Sequence, residues 1–537
     1  VQVSELTAVE RRVWDASLRG DEVDLRTGDS ALDDPAAGDG WGPERTVRAE
    51  ALIMLLLGAA AAAEPGHVPA LRLEGVRIEG KLDCDHAEIP FRVWIRNCDL
   101  PGGVNLSYAT TRQFGLTGSR VAGLSAYRAN VDGTLRMAGC RFTGEVLLES
   151  ARIAGSLNLD GAVLTNPGGK ALAANRIQVD DYILLREGFS AHGAVELRGA
   201  QVGGDLDLTG ATLENPAAVA LCASRIRVEG SVLCDKLEAS GEIQFNGAVV
   251  AGEISVTNAR LRNPGKTAFS GHDLQLGENL DGEGLEAQGG VDLRAAKLGG
   301  VALGEARIDA PGAVALDLWQ AEAKSLDLRT AQAPAGVVDL RHAVIGILHD
   351  EQATWPAELR LDGLRYDGLA VPMTATIRRS WLSRDPDGYC PQPYEFLAQT
   401  FRALGYEDDA RTAMLAKERQ RHSTLPWYAN IWGAIQDVTV GYGYRPTRAG
   451  VWLVGLLALG TTVFSVFQPV RDADAGTEVF DPVVFTLERL LPFLDFGQAT
   501  NFTPTSGTQW FGYALTGSGW LIATTIATGV TRSINRL

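Results

Sequence analysis

The chain has 537 residues, a formal net charge of −17, 45% hydrophobic and 21% charged residues. That length exceeds one ordinary compact core, the apolar share excludes wholesale disorder, and the acidity excludes a general nucleic-acid binder. Six cysteines (Cys84, Cys98, Cys140, Cys222, Cys234 and Cys390) form no CxxC pair, so neither a disulfide framework nor a zinc site is indicated, and most read as small apolar packing residues.

The N-terminal stretch VQVSELTAVERRVWDASLRGDEVDLR reads as a helix followed by a short extended piece, without the charged-then-apolar order of a secretory signal. A second helix is expected in ERTVRAEALIMLLLGAAAAAE. Its uncharged run, Ala51 to Ala63, is too short to cross about 30 Å of hydrocarbon, so residues 1–70 are assigned as a helical cap over the open end of a repetitive region that begins at residue 71.

Residues 71–369 repeat. VLTNP, TLENP and RLRNP place Asn166, Asn215 and Asn263 before prolines, with a decayed copy ending at Pro311. A second landmark sets Leu172, Leu221, Phe269 and Leu316 in register; a third starts at Gly193, Gly241, Gly289 and Gly336. All three recur at steps of 47 to 49 residues. Within a unit the pattern G-x-φ-x-φ-x-x-A-x-φ alternates apolar residues, as at Leu157 and Leu159 or Leu206 and Leu208, which is the period of a strand with one face inward. Legs about 11 residues apart, joined by Gly-rich corners, describe a mainly β fold, a right-handed β-solenoid with two coils per unit and roughly a dozen coils in all, stacked at about 4.8 Å. Asn166, Asn215 and Asn263 are expected to form a structural turn ladder.

Residues 370–426 hold a linker and a helical hairpin of tetratricopeptide type, with Leu397, Phe401 and Leu404 on one stripe, Gly405 as the stop and Asp408 and Asp409 opening the second helix. Residues 427–448 (Trp427, Ile431 and Ile435 at helical spacing) suit an amphipathic helix at a membrane interface. Residues 449–537 form a two-span membrane domain, with uncharged runs at 449–467 and 510–530. Arginines flank the spans, and Asp472, Asp474, Glu478 and Asp481 lie between them against Arg471 and Arg489, which puts both termini and the solenoid on the cytosolic side of a cytoplasmic membrane. In the second span Gly519, Ala523 and Ala527 form a small-residue helix-packing face, either within the chain or between copies. Between the spans, Asp481 and Pro482 open a short helix assigned to 482–497. A span, a short helix, a turn and a second span outline a pore, with Glu488, Arg489, Asp495, Gly497 and Gln498 as candidate pore or loop residues; the alternative is a cap lying on the membrane. TVGYG at Thr439–Gly443 spells a potassium filter but lies ahead of the spans, where a filter does not work.

Chemistry-bearing motifs are sparse. The seven histidines form no HExxH site; His349–Asp350 reads as a turn pair, and Cys84, Asp85 and His86 alternate faces of a strand. No GxSxG, Walker A or GxGxxG stands at a strand-to-helix junction. Asp205, Asp207, Asp292 and Asp339 are assigned to outward strand positions. No catalytic, cofactor-binding or metal-ligating residue is assigned.

The solenoid grammar is similar to the pentapeptide-repeat superfamily. With ERTVRAEALIMLLLG, PYEFLAQTFRALG, GYGYRPTRAGVWL and LERLLPFLDFGQ, the whole chain resembles a bacterial family of solenoid-bearing two-span proteins whose members are often labelled membrane-associated oxidoreductases. The resemblance implies a redox activity; the residues themselves carry no flavin, haem or nucleotide motif. Three functions therefore stand open. The first is a membrane-anchored scaffold whose solenoid binds a protein partner. The second is an oligomeric channel or membrane-permeabilising effector built from a homo-oligomer. The third is the oxidoreductase. The partners expected are the lipid bilayer, an unidentified protein and a second copy of the chain, with no nucleic acid and no cofactor.

Overall fold

The computed structural model describes all residues except 1–2, 59–65, 372, 424–446, 473–478, 492, 506 and 535–537, and no side chain at 423, at 447 or from 525 onward. The chain divides into two units, Val1–Pro372 and Met373–Leu537.

The first unit is a parallel β-solenoid of about fourteen turns. Each turn gives one leg to each of two long parallel sheets, and each leg pairs with its counterparts one turn before and one turn after. One column of paired residues runs Gln178, Gln201, Arg227, Val249, Gln275, Lys297, Glu322 and Val344, so turns of 22 or 23 residues alternate with turns of 25 or 26. The 48-residue repeat is therefore one short turn and one long turn. The extra residues sit in the Asn-Pro segment, where the strand Val163–Ala173 slips register against its neighbour between Thr165 and Lys170.

Inward positions are filled by aliphatic and aromatic side chains. Leu157, Leu159, Leu206 and Leu208 have no exposed surface, nor do Phe189 and Phe245. The alanine of the repeat pattern closes the corner. Ala200 N–H donates to Leu197 O at 3.0 Å and Ala211 N–H to Leu208 O at 3.0 Å, which makes each corner a four-residue turn. The third residue of that turn is left-handed, filled by glycine at Gly199 and Gly210 and by other residues at Lys236, Asn258, Ala295, Glu305 and Gln320. A left-handed conformation costs an L-residue about 1–2 kcal/mol. The corner recovers part of that through its neighbours, as Lys236 N–H donates to Thr257 O at 2.9 Å on the next turn.

At the N-terminal end α1 (Ala8–Arg19) leads into β1 (Glu22–Asp24), and β2 (Thr46–Arg48) leads into α2 (Ala49–Gly58). β1 and β2 pair in parallel with Arg72–Glu74 and Arg77–Glu79. The first 70 residues thus add strands to both sheets as well as helices. Buried Ala51, Leu52, Leu55 and Leu56 show α2 packed into the protein.

In the second unit α3 (Ala375–Leu382), α4 (Gln392–Ala403) and α5 (Glu407–Ser423) precede α6 (Thr447–Val466), α7 (Pro482–Leu490), α8 (Gln498–Asn501) and α9 (Gln509–Ile534). Leu397 and Phe401 of α4 are buried, with Ala410 and Ala413 of α5. Leu404 is 49% exposed because α4 ends one residue earlier, before Gly405 turns left-handed at φ 83°. α3 is a third helix that apolar spacing did not announce; its first amide, on Ala375, donates to Asp409 Oδ1 at 2.8 Å.

Among the described residues one helix, Arg448–Val466, is long and apolar enough to cross a membrane. α9, over the second uncharged run, extends for 26 residues. The segment 427–446, including Trp427, Ile431, Ile435 and the TVGYG stretch, lies outside the described residues, as do Asp474, Glu478 and the side chain of Ala527.

Candidate functional site

The outer faces of the solenoid are ladders of charged and polar side chains. Where the third landmark reads VDLR, the aspartate accepts both the backbone amide and the guanidinium of the arginine two residues on. Asp292 takes Arg294 N at 3.1 Å and Nε at 2.9 Å; Asp339 takes Arg341 N at 3.0 Å and Nε at 3.0 Å; Asp327 and Arg329 repeat this on the other sheet. Asp207, at 9% exposure, faces Arg186 at 3.5 Å. Asp317 stands between Asp292 and Asp339 in one column, and burial, followed by the charges of Asp339 and Asp292, raises its carboxyl above the usual range. These groups hold corners and rungs together.

Four of the cysteines are equally structural. Burial pushes the thiols of Cys84, Cys98 and Cys140 up to about 12 and raises that of Cys234 as well, so none is a ready thiolate. Cys140 Sγ donates to Leu116 O at 2.6 Å. Asp350 accepts the Trp355 indole N–H at 2.8 Å, and His86 pairs with the adjacent Asp85 at 3.0 Å. Among the described residues no group of three or more His, Cys, Asp or Glu is placed to hold a metal.

Asn166, Asn215 and Asn263 occupy alternate turns. Each closes its own loop by donating Nδ2 to the carbonyl four residues on: Lys170 O at 2.8 Å, Val219 O at 2.8 Å and Thr267 O at 2.6 Å. The intervening turns put Gly193, Gly241 and Gly289 against these loops at φ 128°, 118° and 132°. A Cβ on Gly193 would stand 2.5 Å from Asn166 O, and one on Gly241 2.5 Å from Asn215 O. The first and third landmarks are therefore two halves of one device on consecutive turns.

Between α6 and α9 the chain folds on Glu488. Its carboxylate, 4% exposed, accepts the backbone amides of Phe496, Gln498 (3.2 Å) and Ala499, stapling the end of α7 to the start of α8. Gln498 accepts Asp481 N–H at 3.2 Å and donates to Val479 O at 3.0 Å. Asp481 caps α7 through Val483 N–H at 2.8 Å. Arg489 lies over the Phe485 ring at 5.3 Å, inside a cluster of Phe464, Phe485, Leu490, Phe502 and Leu515. Asp495 is exposed and accepts the amide of Gly497, which is left-handed at φ 84°. Gly519 is buried against the Leu490 carbonyl, so no side chain fits there; Ala523 is half-buried.

One outward column near the N-terminal end differs from the charge ladders. Glu22, Arg72, Trp94, Gly115 and Arg136 pair in succession on five consecutive turns of one sheet. They line a cavity of about 290 Å³. The 48-residue landmarks start after it and leave it unremarked. The available signal is RVWIR, where strand alternation buries Val93 and Ile95 and turns a tryptophan outward between arginines.

No family model, curated protein or solved structure matches the chain.

Proposed function

We propose that the protein is a membrane-anchored scaffold, in which the solenoid presents its ladder faces to a protein partner and the C-terminal helices hold it to the bilayer. The supporting observation is a division of surface chemistry. The solenoid's outer columns are mostly polar, with scattered apolar side chains such as Val249, Val344 and Ile347, whereas α6 exposes Val451 (74%), Val454 (65%) and Trp452, and α9 exposes Trp510 (79%), Tyr513 and Trp520. Large apolar side chains displayed along 20- and 26-residue helices suit lipid contact, with Trp510 and Tyr513 at the start of α9 placed for the headgroup level. In this reading α9 is the second span, and both termini and the solenoid lie in the cytosol. A stack of near-identical turns suits recognition of an extended partner, because each turn repeats the same spacing of side chains.

The channel reading asks Glu488 and Asp495 to face a common axis. Glu488 instead turns inward to three backbone amides, which favours a closed inter-helix cap and leaves the scaffold as the reading carried forward. The redox reading rests on the family resemblance alone, and burial of Cys84, Cys98, Cys140 and Cys234 lends it no support from those four thiols.

The test places a photo-crosslinking residue at single outward positions around one turn of the full chain in cells, for instance at Gln178 and Asp180 beside one sheet and at Ser190 and His192 on the other. The scaffold predicts one discrete protein adduct from adjacent positions on one face and none from the other. Adducts scattered over all faces, or none anywhere, contradict it.

A further inference from the structure

We infer that the Trp94–Arg136 notch binds a small aromatic molecule bearing an anionic group, a phosphate or a carboxylate. This stands whether or not the chain is a membrane scaffold.

The geometry begins with a missing rung. Side chains in one column of a parallel stack sit about 4.8 Å apart. Gly115 supplies none, so Trp94 and Arg136 face each other across a space about two rungs deep. The gap is not needed for the fold. Gly115 has no left-handed φ, and a Cβ built on it meets its nearest neighbour, Trp94 Cδ1, at an ordinary 3.5 Å. The absent side chain is thus not forced by backbone or packing, unlike at Gly193 or Gly241.

The walls define the ligand. Trp94 offers an indole that the Arg72 guanidinium covers at 4.7 Å from the ring centroid. The indole also borders the gap, where a flat ring lies between it and the guanidinium plane of Arg136. Arginine and tryptophan planes both stack on aromatic rings.

The charges are unbalanced. Glu22 and Glu74 are engaged by Arg96, which lies 3.0 Å from Glu74, and Arg26 lies 2.9 Å from the same carboxylate. Arg72 and Arg136 have no carboxylate partner among the described residues, and Arg72 Nε is buried with no hydrogen-bond acceptor. Arg136 is exposed at the rim of the cavity, where its guanidinium takes an anion through paired, charge-assisted hydrogen bonds. The ring fills the space left at Gly115 and the anion answers Arg136. The volume of about 290 Å³ admits one such molecule, at the small end of ligand pockets.

The test is calorimetric titration of the full chain in detergent with phenyl phosphate, benzoate, adenosine 5′-monophosphate, inorganic phosphate and phenol. At least one of the three aromatic anions is expected to bind with a Kd below about 1 mM, and inorganic phosphate and phenol at least about tenfold more weakly. Gly115→Leu plugs the gap, and Arg136→Gln removes the cation; each is expected to weaken the bound aromatic anion about tenfold or more without lowering the melting temperature. If Gly115→Leu misfolds, Arg136→Gln and Trp94→Leu carry the test. The inference is overturned if no aromatic anion binds, if inorganic phosphate or phenol binds as well as the best of them, or if binding is the same in the folded variants.

Discussion

Glu10 shows how much one buried carboxylate contributes. It is 3% exposed, closes the capping box of α1 with Thr7, and meets Arg48 of β2 at 2.7 Å. Hydrogen bonding from the Arg48 guanidinium holds its carboxyl down at about 2, against an ordinary value of 4.5. The folded protein therefore binds this proton less readily than the unfolded chain. The resulting stability is fully present above about pH 4.5 and is lost as pH falls towards 2. Converted by linkage, the shift is worth up to about 3 kcal/mol. Glu10→Gln is expected to lower the midpoint of thermal unfolding at pH 7 and to flatten the loss of stability between pH 4.5 and 2. An unchanged acid slope in the variant shows that the pair does not couple the cap to the first rungs. The same logic places Glu488: three amides converge on one carboxylate, and that convergence is invisible in sequence because Phe496, Gln498 and Ala499 contribute backbone only.

The unit of the fold is the pair of turns. Asn215 closes a loop on the long turn, and Gly241 on the next turn lies flat against it. Gly241→Ala puts a Cβ 2.5 Å from Asn215 O at a φ of 118°, and about 2–4 kcal/mol of destabilisation is expected. Gly210→Ala is the matched comparison. Gly210 has φ 66° and open space around its Cβ, and other corners accept non-glycine residues at the same position, so about 1 kcal/mol is expected. Thermal melts of the two variants check this, and equal losses contradict it. Sequence made much of this level legible. The 48-residue period, the inward leucines and the corner alanines all follow from spacing. The division into short and long turns does not, because the extra residues carry no alternation of their own. α3 was missed for a similar reason: buried Arg378 and Trp381 stand among charged neighbours and give no apolar stripe. The Trp94 column escaped because it becomes one site only once Arg72, Trp94, Gly115 and Arg136 are set in register across turns.

At the scale of the whole chain, a solenoid with mostly polar outer columns is joined in sequence to helices that display tryptophan, valine and leucine. The solenoid was readable because it repeats. Its attachment is less so, because a long apolar helix satisfies both a membrane and a protein partner, and composition alone does not choose between them. In the proposed function the C-terminal helices lie in a bilayer with the solenoid on the cytosolic side. This placement is tested most directly by one labelling measurement on the full chain carrying Glu229→Cys, an exposed position on the solenoid, against the native cysteines as background. A membrane-impermeant maleimide is applied to inside-out and to right-side-out bacterial membrane vesicles. The protein is expected to sediment with the vesicles, with residue 229 labelled in the inside-out preparation and protected in the right-side-out one. Labelling in right-side-out vesicles, or a protein that stays in the supernatant, contradicts it.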